Sequence, residues 1–126
     1  MIPPITIHDV FSELTQHCSE LKGAAVATPE GLVLAATGAF EGDVPAACAA
    51  GIAANMDSHL SFVTPARFSD SLTWSDAGIW YLSRLPQGHL LLVWSSPEEP
   101  VGRLRIAAQR AVQQLAPMLS SMEQPS

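Results

Sequence analysis

Residues 22–37, KGAAVATPEGLVLAAT, decide how the rest of the chain is read. Two short apolar runs, Gly23–Thr28 and Leu32–Thr37, flank Pro29-Glu30-Gly31. Proline presets the backbone for the second position of a turn and glycine relaxes the exit, so the stretch reads as a β-hairpin. Its side chains are small, mostly alanine and glycine, so another layer can pack close to this half of a sheet.

Working outward, residues 7–21 carry Val10, Phe11, Leu14, Cys18 and Leu21 at spacings of three and four, the mark of an amphipathic helix. Thr6 is its expected N-cap, with Asp9 three residues on, and Lys22-Gly23 its expected end. After a loop over Gly38–Gly42, Asp43 is placed to cap a second helix, with Pro45 in its first turn, where a missing N–H costs nothing. That helix runs to about Leu60 or Val63. Val44, Cys48, Ile52, Met56 and Leu60 form one stripe, and Ala46, Ala49, Ala50, Ala53, Ala54 and Asp57 a second. A helix apolar nearly all round is covered on two sides.

Three strands are expected next, over 67–75, 79–85 and 89–94. The first alternates, with Phe68, Leu72 and Trp74 on one face and Ser69, Ser71, Thr73 and Ser75 on the other; Asp70 breaks the apolar row. HLLLVW at 89–94 is nearly continuous in apolar residues, as for a central strand covered on both faces. A last helix opens near Pro100, with Glu98 and Glu99 at its positive end, and carries Val101, Leu104, Ala108, Ala111, Val112, Leu115 and Leu119 on one stripe. Pro117 should end or kink it, and 121–126 should fray. The expected fold is α+β: one α/β/α sandwich over residues 1–120, in the order α-β-β-α-β-β-β-α, with a five-stranded antiparallel sheet.

Composition closes off several functions. The chain has 126 residues, is 48% hydrophobic and 14% charged, and has a formal net charge of −6. Seven acids and one base fall in residues 1–63, whereas 64–126 balance five arginines against five acids. A nucleic-acid binder needs a basic footprint, which is missing here. No apolar run reaches the roughly 20 residues that span a bilayer, and Met-Ile-Pro-Pro does not open a signal peptide, so membrane insertion is not expected and the cytoplasm is.

No constellation points to chemistry. No Gly-rich run precedes a Lys-Ser/Thr pair, so no nucleotide cofactor is expected. His8, His17, His59 and His89 fall on different elements without metal-ligand spacing. Cys18 and Cys48 lie on apolar helix stripes and read as buried structural thiols rather than nucleophiles. Glu41 and Asp43 flank Gly42, but capping accounts for Asp43. No catalytic residue, metal or cofactor is assigned, and the protein is not expected to be an enzyme.

Two features ask for a partner. One is the small-residue face of the second helix: Ala46, Ala49, Ala50, Ala53, Ala54 and Asp57. The other is the serine-rich strand with Ser69, Ser71 and Thr73, an expected sheet edge open to pairing. Together they predict a subunit interface.

The stretch Lys22–Ala35 resembles the first hairpin of Roadblock/LC7 domains, "v-x-G-a-x-v-x-t-x-d-G-l-v-l", with Glu30 where aspartate is commoner. Gly88–Val93 and Gly102–Arg105 are also similar, and the element order matches over nearly the whole chain. The resemblance, to bacterial MglB-like members in particular, implies a profilin-like fold. It also implies a homodimer, or a heterodimer with a paralogue, built from paired second helices and third strands, and a small Ras-like GTPase as partner, which is activated or anchored. Activation through an arginine finger would not come from the helix at 43–63, which has no Arg or Lys. A reading from a different class is a small-molecule sensor of PAS-like α/β type, with Trp74, Trp80 and Trp94 enclosing the ligand.

Overall fold

A computed structural model describes residues 6–123. Helix α1 spans Ile7–His17, strands β1 and β2 span Leu21–Ala27 and Val33–Gly38, helix α2 spans Val44–Ser61, strands β3, β4 and β5 span Asp70–Ser75, Gly78–Arg84 and Leu90–Ser95, and helix α3 spans Val101–Glu123. The five strands form one antiparallel sheet in the order β2-β1-β5-β4-β3. The α/β/α order expected from sequence is present, β5 is central, and β2 and β3 are the edges.

Alternation along the strands divides the core. Ala24, Val26, Ile79, Tyr81, Leu91 and Val93 face α1 and α3, joined by Val10, Phe11, Leu14, Leu104, Ala108, Leu115 and Leu119. The next residue of each strand turns the other way. Ala25, Ala27, Leu82, Leu90 and Leu92 meet Ala46, Ala49 and Ala53 of α2. The small residues of the hairpin are what α2 of the same chain packs against. At Gly31, φ is +91°, and a Cβ there would lie 3.2 Å from Ala47 Cα, so glycine serves both the turn and the close approach of α2.

The caps follow the sequence only in part. Thr6 and Asp9 form a reciprocal capping box, Thr6 Oγ1 accepting from Asp9 N–H and Asp9 accepting from Thr6 N–H. Helix α1 stops at His17, however, not at Leu21. Cys18 is extended, and Leu21 already begins β1. The periodicity concealed this break, because Cys18 and Leu21 stay on the same side of the core after the chain leaves the helix. Asp43 occupies the cap position of α2 but its side chain accepts no capping bond, so its assignment as a side-chain N-cap is corrected.

Strand β3 starts at Asp70 rather than at 67. Phe68 therefore lies with the α2-side core while Leu72 lies with the α1/α3 side, and the expected single row of Phe68, Leu72 and Trp74 is not formed. Asp70, the polar break in that row, accepts a 2.9 Å hydrogen bond from Tyr81 Oη. Helix α3 continues through Pro117 to Glu123. Both Pro117 and Gln113, whose carbonyl loses its helical partner, are exposed, so water can satisfy the freed group. Residues 124–126 of the expected frayed tail lie outside the described residues.

Candidate protein-interaction face

The second helix has two stripes, and the structure orients them opposite to the sequence expectation. Ala46, Ala49 and Ala53 are buried against the chain's own sheet, and Ala50 is half-buried near Gly31. These four positions, assigned to a subunit interface, present little or no free surface. Methyl side chains allow a helix to lie close on a sheet of similarly small residues, so the alanine stripe wins the inward position and the bulkier stripe turns out. Only Ala54 of the alanines assigned to the interface is exposed.

The outward stripe is apolar. Val44 is 71% exposed, Ile52 is 44% exposed, and Cys48 and Leu60 also face outward, with Met56 half-buried. Just past the helix, Phe62 and Val63 are 84% and 85% exposed. Moving one large aliphatic or aromatic side chain fully out of water yields roughly 1.5–3 kcal/mol. A row of such groups on one helix is a surface that association would stabilise strongly.

Beside this stripe lies a groove of about 270 Å³ between α2 and the sheet edge. Cys48 and Ile52 form one wall, Ser71, Thr73 and Ser75 the other, and Trp80, Leu82 and Leu92 the floor. The edge strand β3 is bonded only to β4, leaving its outer backbone groups free to pair. Ser71, Thr73 and Ser75 thus face the α2 side of an open edge, while Ser69 precedes the strand and is exposed.

The junction between α2 and β3 is rigidly tied. Asp57 accepts from Arg84 Nη2 at 2.6 Å and Nη1 at 3.2 Å, and its Oδ1 accepts from Phe68 N–H at 2.8 Å. Arg84 also donates to Phe68 O and lies 4.8 Å over the Phe68 ring. Asp57, assigned to a subunit interface, is thus engaged within the chain. The Arg84 guanidinium, followed by the Phe68 amide, holds its carboxyl below the usual range.

The tryptophans divide. Trp80 and Trp94 are a cross-strand pair, stacked at 4.8 Å between centroids, with Phe40 stacked beside both and Lys22 Nζ 5.0 Å above Trp94. Their ring N–H groups donate to Ser75 Oγ and Ala77 O. Trp74 is 62% exposed on the opposite face and encloses nothing with them.

The two cysteines also separate. Cys18 is buried, and desolvation, then the nearby Glu99 carboxylate, pushes its thiol up to about 11. Cys48, expected to be buried, is exposed on the outward stripe. Among the described residues no group of three His, Cys, Asp or Glu could hold a metal ion, and no helix is long and apolar enough to cross a membrane.

Sequence reasoning named the Val44/Cys48/Ile52/Leu60 stripe but did not single it out as the exposed one, nor its extension to Phe62-Val63. The signal was present: bulky apolar residues at four-residue spacing opposite a stripe of alanines, with more apolar residues just beyond the helix.

This arrangement of helices and sheet is the Roadblock/LC7 fold. Among solved structures the chain is similar to MglB of Myxococcus xanthus, at 18% identity and a TM-score of 0.82, over 91% of this chain and 95% of that one. It is similar to the gliding protein MglB of Thermus thermophilus, at 21% identity and a TM-score of 0.81, over 91% of this chain and 89% of that one. A Roadblock/LC7 domain from Streptomyces avermitilis matches at 21% identity and a TM-score of 0.77, over 86% of this chain and 93% of that one. No family model matches the sequence, and no curated protein matches it.

Proposed function

We propose that the protein is a cytoplasmic, non-enzymatic Roadblock/LC7-type regulator that self-associates through the outward face of α2 and the edge of β3. The dimer so formed engages a small Ras-like GTPase as activator or anchor. The observation that carries this reading is the continuous exposed apolar stripe of α2 lying beside an unpaired strand edge. A twofold partner would bury the Val44, Cys48, Ile52 and Leu60 side chains against their counterparts. Pairing β3 with its copy, through the stretch holding Ser71 and Thr73, would extend the sheet across two subunits. Ala54 and Ser69 fall at the margin of that contact. Ala46, Ala49, Ala50 and Ala53 serve it indirectly, by seating the helix, and Asp57 by fixing its C-terminal end to β4. The same geometry admits a paralogue as second subunit. The GTPase partner is taken from the Roadblock/LC7 resemblance and from the likeness to the gliding protein MglB.

The deciding measurement is light scattering after size exclusion, on wild type and Ile52→Glu. A wild-type dimer that Ile52→Glu reduces to a folded monomer supports the interface. Pull-down with purified small GTPases, in GDP and GTP forms, then tests the partner. A monomeric wild type that retains a small molecule would favour the sensor reading, with the ligand in the 270 Å³ groove over Trp80 and Leu92.

A further inference from the structure

We propose that the groove between the C-terminal end of α1 and the N-terminal half of α3 is a docking site for an acidic segment of a partner protein. The groove has a volume of about 390 Å³ and is lined by His17, Arg103, Ile106, Ala107 and Arg110. It lies on the α1/α3 side of the sheet, opposite α2, so it is open whether or not α2 pairs with a copy.

Three observations converge on this occupant. Ile106 is 66% exposed, a large aliphatic side chain in water beside the groove. Arg103 is exposed and has no ion pair or hydrogen bond among the described residues. Arg110 meets Glu13 at 3.5 Å, and the same carboxylate also holds Gln114 Nε2 at 2.9 Å and lies 3.8 Å from His17. Arg110 and His17 thus share one carboxylate, while Arg103 beside them is left without a counter-charge among the described residues. This groove, apolar at Ile106 and Ala107 and flanked by two arginines, sits on a chain whose net charge is −6. A partner segment that places an apolar side chain on Ile106 and Ala107, flanked by carboxylates on Arg103 and Arg110, satisfies both its apolar and its charged parts. The slot is concave and carries two arginines, which suits inserted side chains. A lipid surface is flat and rewards a longer run of bases.

The test is an NMR titration of the isotope-labelled protein with a short peptide of alternating Glu and Leu, and with its Lys–Leu counterpart. The acidic peptide should shift the amides of His17, Arg103, Ile106 and Arg110. Binding should weaken as salt rises, since exposed pairs are screened. Arg103→Glu should weaken it roughly tenfold at low salt, Ile106→Ser should weaken it too, and Arg103→Lys should retain most of it. Both positions are exposed, and an unchanged melting temperature confirms that each variant folds. The proposal is overturned if the acidic peptide causes no shifts at millimolar concentration, if the lysine peptide binds equally, or if the shifts fall on α2. It is also overturned if vesicles of phosphatidylglycerol, and not the peptide, bind in a manner lost with Arg103→Glu. Because α2 is on the other face, a failed dimer measurement leaves this result readable.

Discussion

Arg84 of β4 and Asp57 of α2 make a two-pronged ion pair, at 2.6 and 3.2 Å, across the connection that leads from α2 into β3. The pair also captures both backbone groups of Phe68, whose N–H donates to Asp57 and whose carbonyl accepts from Arg84. One contact thereby sets where α2 ends, delays the start of β3 to Asp70, and fixes the edge strand relative to the exposed helix face. Removing Arg84 leaves the Phe68 carbonyl without its donor and the Asp57 carboxylate with the Phe68 N–H and the more distant Arg67, at 3.7 Å. Arg84→Ala should cost about 1–3 kcal/mol in chemical unfolding. Asp57→Asn should cost less, and a double-mutant cycle should show the two losses to be non-additive, because they share one contact.

Acid should expose the same contact. Asp57 titrates below its ordinary value when folded, so the folded state binds fewer protons than the unfolded one. The stabilisation is fully present above the unfolded value of about 3.9 and is lost as pH falls through the lower folded value. Denaturant unfolding from pH 7 down to pH 3 should show this loss, with a shallower slope for Asp57→Asn.

Alkali should act through Cys18. Burial keeps its thiol protonated to about pH 11, whereas in the unfolded chain it ionises near roughly 8.5. The folded state then binds more protons between those values, so stability present below about 8.5 declines as pH rises toward 11. Cys18→Ala should flatten that decline while costing some packing. An equal slope in wild type and variant would count against the assignment.

Thiol chemistry should report association. Cys48 is exposed in the single chain and Cys18 is buried. Pairing through α2 would cover Cys48, so its modification by a chromogenic disulfide should be slow at high protein concentration and accelerate on dilution or with Ile52→Glu. Cys18 should stay silent until unfolding. Fast, concentration-independent reaction of Cys48 would place the contact elsewhere.

The alanine stripe should behave as core rather than as interface. Ala49 is 1% exposed on the inner face of α2, and Ala49→Leu would force a larger side chain against the sheet. The expected outcome is a loss of about 1–3 kcal/mol in unfolding free energy, a cost of overpacking rather than of lost partner contact. For the same reason a charge at Ala50, half-buried beside Gly31, tests folding more than association.

Much of the fold was readable because local chemistry and global order agree. Pro29-Glu30-Gly31 forces a turn, Thr6 and Asp9 cap α1, and LLLV can only lie where both faces are covered. Those residues, with the serine-rich run over 69–75, by themselves determined the order of elements, the central place of β5 and the edge position of β3. What the tertiary structure alone decided was which way α2 faces. Both of its stripes are apolar, so periodicity could not rank them. The choice rests on complementarity with Ala25, Ala27 and Ala36, the small residues of the hairpin, which admit alanines at close range and exclude Val44 and Ile52. The Arg84–Asp57 contact and the groove of Arg103, Ile106 and Arg110 were hidden for a related reason. Each needs residues distant in sequence, Asp57 with Arg84 and His17 of α1 with the α3 residues, which only the packing of helices and sheet brings together.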